Sequence, residues 1–451
     1  MHRLSKQKVF LAFILLSLYG LLGYGVERHE HVILFSIYFL LFAGYVWIYQ
    51  SVNEETLKFW VYASLAFRVI FLFSIPSLSD DFYRFIWDGR LLSHGVHPFA
   101  ELPSYYLNLD TPVPGINQWL YDHLNSQSYF TVYPPLSQYI FWIATFAFPD
   151  SILGSVVVMR FFILLAEFGS LMLLWKLLPR YGMSQRNVLI YALNPLVIIE
   201  LTGNLHFEAL IIFFVIFTLF LLWKNRIVLA GMSIGAAIAA KLIPLIFLPH
   251  FLLRLGFRKS IYFYLIILFV CVFVSLPLLD LEIIEGFQSS LGLYFNKFEF
   301  NASIYYLARE FGFWTKGYNT IESVGWKLAV ISTICILIVS LWPSKYSIKN
   351  IFGKDQSASF PLDSPSAMMW VLLIYLLFTT TVHPWYITTL LMLSVFTRFK
   401  FVMVWTALIF LTYMGYSEVA FHENLYWVIL EYSVVIGYLT YELIWKRKGA
   451  V

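Results

Sequence analysis

Two adjacent carboxylates, Asp80 and Asp81, stand at the head of the longest non-hydrophobic interval in this 451-residue chain. The interval runs from Ser79 through Tyr83-Arg84-Phe85-Ile86-Trp87-Asp88-Gly89-Arg90, turns at His97-Pro98 and closes on Tyr133-Pro134-Pro135-Leu136. A carboxylate beside an apolar mouth loses water and can act as a general base. The same pair also reads as a plain helix start, with Ser79 as N-cap, acids in the first turn and Arg84 pairing locally. On such a helix Tyr83, Trp87, Arg90 and His94 share one face, and Asp81, Phe85, Asp88 and Leu92 a neighbouring one. Large aromatics mixed with Arg and Asp predict a short helix lying in a membrane interface. Residue chemistry alone leaves both base and cap open.

The elements that must hold this interval are membrane helices. Charged residues make up 12% of the chain, hydrophobic residues 60% and aromatics 20%, against about a quarter charged in soluble proteins. An ordinary soluble fold is excluded. The net charge of +4 comes from cations near the ends of apolar runs, which is the positive-inside pattern and speaks for no nucleic-acid partner. Cys271 and Cys335 lie inside apolar runs and imply no disulfide framework. Apolar runs near or above the roughly 17–20 residues of a spanning helix occur at 9–26, 31–50, 58–76, 134–149, 152–178, 187–203, 206–223, 227–252, 260–279, 323–342, 367–382, 385–397, 400–417 and 424–445. The expected fold class is therefore an all-α multispanning membrane protein of about 12–14 transmembrane helices, with the first run kept as a helix. No repeat or linker divides it, so 1–451 reads as one transmembrane domain.

Arg3, Lys6 and Lys8 at one end and Lys446, Arg447 and Lys448 at the other predict cytoplasmic termini. Alternation then makes the 77–133 and 280–322 loops and the His383-Pro384-Trp385 turn external, and the 343–366 loop cytoplasmic. Two cationic turns, Arg180 with Arg186 and Lys224 with Arg226, fall outside on this count, against the rule. The side of His206 is left open. Among the ionisable residues in or near apolar runs, the expectation is structural pairing of Arg160 or Lys241 with Glu167 or Glu200. Glu431 and Glu442 read as structural or interfacial.

The segment "SDDFYRFIWDGRLLSHGVHPF", followed by "YPPL", resembles the first external loop of the GT-C superfamily of multispanning glycosyltransferases. It is most similar to bacterial polyprenyl-phosphate-mannose-dependent mannosyltransferases and also resembles GPI mannosyltransferase I, whose loop carries an acidic pair, a Tyr-Arg step and a Gly-x-x-Pro-aromatic turn, here Gly95 to Phe99. "YPPL" is shared with dolichyl-phosphate-glucose-dependent glucosyltransferases. "MRFFILLAEF", "LNPLVIIE" with His206 after it, "AAKLIPLIFLP" and "HPWY" follow in the same order, so the resemblance spans roughly residues 75–390. The acids are adjacent here, where the GPI enzyme separates them by one residue.

The resemblance implies a GT-C fold with interfacial helices in the first large external loop. It implies inverting transfer of a hexose, mannose for preference, from a polyprenyl-phosphate sugar donor to a lipid or glycan acceptor. The base would be Asp81 or Asp80, with Asp81 favoured. Candidate substrate-binding residues are Arg84, Trp87, Arg90 and Tyr133, then Asn296, Lys297 and Asn301 in the 280–322 loop, and His383 and Tyr386. A glycosyl phosphate has a good leaving group, so one base plus cations suffices and no cofactor is required, a divalent cation at Asp80/Asp81 being the exception to test. Membrane lipids are the expected surroundings, in the plasma (inner) membrane with the site on the extracytoplasmic face. The competing readings are a transporter or lipid flippase of envelope precursors, and a non-catalytic scaffold.

Overall fold

The computed structural model describes residues 6–279, 298–342, 363–418 and 421–445. Among these the chain is helical, and its β-structure is confined to two isolated bridges, Phe300 with Thr381 and Tyr416 with Phe421. Among the described residues six helices are long and apolar enough to cross a membrane alone, among them Lys6–Gly25, His31–Ser51 and Leu425–Trp445. A seventh span arises if Pro195–Gly203 and Glu208–Trp223, bent by 114°, count together. Shorter apolar helices at Ile227–Ala240, Ser364–Phe378 and Phe401–Gly415 take up other runs. Bulky apolar side chains such as Phe10, Phe13, Tyr262 and Phe269 point outward, as a surface solvated by lipid requires. The architecture is an all-α multispanning membrane protein.

Side-chain contacts fix which helix ends lie together. At one end Arg28 meets Asp80, His206 meets Asp81, Tyr139 donates to the Val274 carbonyl and His97 Nε2 lies 3.0 Å from that of Leu278. At the opposite end Arg186 holds the Tyr49 carbonyl, Lys400 reaches the Tyr49 hydroxyl, Asn187 bonds Val395, Arg254 bonds Ser340, and Glu442 accepts from the Lys400 amide.

Two expectations change. The 134–149 run does not traverse the bundle: its helix, Pro135–Ala147, lies along Asp81–Ser93, where a Cβ on Gly89 would sit 2.4 Å from the Phe141 carbonyl oxygen. The 227–252 run breaks at Lys241 and returns as Ile243–Leu252, so that Lys241 is at one end and Arg254 at the other. One crossing is lost and one gained. With both changes, Arg180, Arg186, Lys224 and Arg226 all move to the end away from Asp81, and His206 moves beside it.

The acid-bearing helix begins at Asp81, one residue later than its sequence implied. Ser79 Oγ accepts from the Asp81 amide at 3.3 Å, while Asp80 sits at the cap position without capping. From Phe82 to Leu91 every residue except Tyr83 is buried. The helix is covered by its own loop and by Pro135–Ala147, so it is more deeply enclosed than a helix lying in an interface.

The buried ion pairs also differ from expectation. Glu167 pairs with Arg68 at 2.7 Å and accepts from the Tyr191 hydroxyl. Arg160 instead binds the carbonyls of Thr202, Gly203, Leu72 and Ser74 at 2.6–3.1 Å. These belong to the π-helical turn Ile198–Gly203 and to the segment after Glu54–Val69, where an irregular backbone leaves acceptors free in a medium without water. Lys241 pairs with Glu208.

Candidate active site

The two aspartates diverge. Asp80 Oδ2 is 2.6 Å from the Arg28 guanidinium, and that guanidinium lies 4.8 Å over the Tyr416 ring. Asp81 turns the other way. Its Oδ1 accepts from Asn125 Nδ2 at 2.7 Å, its Oδ2 from the Tyr133 hydroxyl at 3.3 Å, and its side chain keeps 18% of its surface exposed. The Pro134-Pro135 pair starts the next helix and fixes the direction in which Tyr133 leaves the loop.

The facing wall is the elbow between Pro195–Gly203 and Glu208–Trp223. Its turn needs Leu205 at φ 62°, an unusual conformation for a branched side chain. It carries Glu200, Asn204, His206 and Glu208, all buried. His206 Nδ1 is 4.0 Å from Asp81 Oδ2, and its Nε2 is buried, makes no hydrogen bond and lies 3.4 Å from Glu200 Oε2. Glu200 also accepts from Tyr413 at 2.8 Å and Asn204 at 3.0 Å. Lys241, partly exposed beside Glu208, lies 4.9 Å over the Tyr386 ring.

Rings form the floor. His206 stacks on Trp385 at 3.6 Å, Trp385 on His383 at 4.4 Å, and His383 packs on Phe300 at 4.6 Å. Desolvation among these rings, opposed by the Asp81 carboxylate and reinforced by the neighbouring Lys241 and His206, pushes the His383 imidazole down to about 3. His383 is therefore neutral at physiological pH, a hydrogen-bonding group and not a cation.

The structure thus brings together Asp80, Asp81, Tyr133, His383 and Tyr386. It places the other candidates elsewhere. Arg84 is buried, paired with Asp88 at 2.8 Å and bonded to the Ser126 and Tyr129 carbonyls. Arg90 holds the Gly115 carbonyl at 2.7 Å, and Trp87 is fully buried. Asn301 is buried, its amide N–H on Glu423 and its side chain on Glu431. Asn296 and Lys297 lie outside the described residues. Sequence reasoning passed over Arg28, Asn125 and Trp385, and read Glu200 and Lys241 as structural ion-pair partners. The signal available was the polar break "TGNLHFE" inside an apolar run, since ionisable groups there are functional by default.

A family model described as "Alpha-(1->6)-mannopyranosyltransferase, N-terminal domain" matches residues 12–256, which include Arg28, both aspartates, Glu200, His206 and Lys241. The chain is also similar to alpha-(1->6)-mannopyranosyltransferase A of Corynebacterium glutamicum, at 27% identity over 188 residues. That stretch covers 41% of this chain and 36% of the relative, so the chain spans well under two thirds of that relative's length. With more than half of its residues matched by the family model, the chain belongs to the alpha-(1->6)-mannopyranosyltransferase family.

Proposed function

We propose that the protein is a glycosyltransferase that moves a hexose, mannose for preference, from a polyprenyl-phosphate donor to a hydroxyl of a lipid-linked or envelope glycan. The observation that carries this reading is the divergence of the two aspartates. Asp80 is neutralised by Arg28, whereas among the described residues Asp81 meets an amide, a phenol and an imidazole at a partly open mouth. A carboxylate so held retains the lone pair a base needs. In this reading Asp81 takes the proton of the acceptor hydroxyl as its oxygen attacks the anomeric carbon. The lipid phosphate leaves from the opposite face, with inversion.

The departing phosphate needs positive charge. Arg84 and Arg90 are buried and committed to backbone carbonyls and Asp88, whereas Lys241 and Arg28, each beside a carboxylate, stay partly exposed and are the cations assigned to it. Tyr386 and the neutral His383 line the sugar. Sidedness follows from charge. Lys6, Lys8, Arg180, Arg186, Lys224, Arg226, Arg398 and Lys400 all belong to the end away from Asp81, which supports an extracytoplasmic site and cytoplasmic termini in the plasma (inner) membrane.

The decisive assay uses membranes containing the protein, with radiolabelled polyprenyl-phosphate-mannose and polyprenyl-phosphate-glucose, each with and without chelator. Mannose transfer unaffected by chelator is expected; loss of transfer on chelation would put a divalent cation at Asp80/Asp81. The bent Pro195–Gly203/Glu208–Trp223 pair is the feature that favours a transporter. Substrate-dependent flux in liposomes without glycosyl transfer would establish that reading instead.

A further inference from the structure

We infer that His206, backed by Glu200, receives the proton that Asp81 removes from the acceptor, so that the working base is an Asp81–His206–Glu200 relay. This rests on the reading of Asp81 as base. The imidazole lies between the two carboxylates: Asp81 Oδ2 to His206 Nδ1 is 4.0 Å, and His206 Nε2 to Glu200 Oε2 is 3.4 Å. The imidazole is buried, and its Nε2 lacks any hydrogen bond, a costly omission unless the ring moves or changes charge during turnover. It stacks on Trp385 at 3.6 Å, a contact that a shift within the ring plane preserves. A slide of about 1 Å brings Nδ1 into hydrogen-bond range of Asp81.

The groups around His206 fit this role. Asp81 faces it from the first loop, and Glu200 from the π turn. Trp385 lies flat against it, with the neutral His383 behind. Tyr413 and Asn204 orient Glu200. Lys241, the cation of this wall, is occupied by Glu208. An imidazolium formed here would lie between the Asp81 and Glu200 carboxylates. In the reaction the acceptor O–H bond breaks and its proton goes to Asp81 Oδ2. The acceptor oxygen bonds the anomeric carbon, and the anomeric C–O pair leaves with the polyprenyl phosphate. The proton passes to His206 Nδ1, with Glu200 beside Nε2, and returns through Asp81 to water as products leave. An aspartate ordinarily titrates near ~3.9 and an imidazole near ~6.5. An imidazole is therefore the better proton acceptor near neutral pH, where a general base works best.

The test uses the full-length protein in proteoliposomes with polyprenyl-phosphate-mannose. His206→Ala is expected to lower kcat by on the order of 10–100-fold with KM little changed. Added imidazole should restore a large part of the rate. The acidic limb of the pH–rate profile, where activity falls as the base becomes protonated, should move to lower pH. Glu200→Gln should shift the same limb by less. If His206→Ala melts earlier, His206→Gln, which keeps a hydrogen-bonding side chain of similar size, carries the test. A drop in kcat with no imidazole rescue and an unmoved limb would overturn the relay. So would unchanged kcat in His206→Ala while Asp81→Asn is inactive, and that result spares the base reading. Full activity in Asp81→Asn would instead remove the base reading and the relay with it.

Discussion

Asp81 and Asp88 sit two turns apart on one helix, and the protein treats them in opposite ways. Asp88 is wholly buried, and its oxygens receive Arg84 at 2.8 Å, Thr131 at 2.5 Å and Gln138 at 2.9 Å. Arg84 Nη1 in turn donates to the Ser126 and Tyr129 carbonyls. That network ties the loop from Ser126 to Gln138 back onto the helix. Asp81 is held by Asn125 and Tyr133, faces a buried imidazole, and among the described residues has no arginine or lysine within ion-pair distance. A chain with so few charges keeps each one for a purpose. Where the partners complete a carboxylate's needs it builds the fold, and where they stop short it is left for a substrate.

The sharpest way to break this contrast is to neutralise each acid. Asp81→Asn keeps size and hydrogen bonding, so the protein should insert and melt as before while sugar transfer falls by roughly 10²–10⁴-fold, the usual worth of a general base. Transfer counted per mole of folded protein checks it, and unchanged transfer ends the assignment. Asp88→Ala should do the reverse. Removing one partner of a buried ion pair costs about 3–5 kcal/mol, so thermal unfolding in detergent should come much earlier, with specific activity lost only as far as folding is lost.

Much of this was legible beforehand, and the misreadings have physical causes. Hydropathy gave the helical class, because a lipid-spanning chain must satisfy its backbone internally. The motif order from Asp80 to Tyr386 gave the family. Parity failed locally at 134–149 and 227–252, since an apolar helix buried in protein and one facing lipid have the same composition. Arg84 and Arg90 looked like phosphate ligands because arginine chemistry is the same for a carbonyl and a phosphate; only burial separates the two uses. Glu200, His206 and Lys241 were visible as intramembrane charges. Their convergence on Asp81 depends on the Leu205 elbow and the break at Lys241, and neither is encoded by hydrophobic periodicity.

A smaller effect tests the ring stack. His383 is neutral in the fold, its imidazole pushed down to about 3, whereas in an unfolded chain it titrates near ~6.5. The unfolded state therefore binds the extra proton between these values. The stabilisation from burying the neutral ring is fully present above about pH 6.5 and is lost as pH falls toward 3. His383→Phe keeps a ring against Trp385 and Phe300 and removes the titration. The unfolding midpoint of the unsubstituted protein should fall more between pH 7.5 and 4.5 than that of the variant, and parallel curves would refute the buried neutral imidazole.

The least perturbing substitution discriminates most finely between the paired acids. Asp80 and Arg28 are partly exposed, and such a pair contributes about 0–1 kcal/mol. Asp80→Asn should therefore leave the melting behaviour nearly unchanged. It frees the Arg28 guanidinium, still seated over Tyr416, to meet the donor phosphate without competition from a carboxylate. Activity should stay within about tenfold of the starting protein, with the change carried in KM for the donor, because uniform binding alters KM while an interaction confined to the transition state alters kcat. If Asp80→Asn is instead as inactive as Asp81→Asn and its loss lies in kcat, the base position belongs to Asp80. The Arg28 contact would then be a resting-state lock that opens when donor binds, and the contrast between the open and the satisfied carboxylate would have to be drawn one residue earlier in the helix.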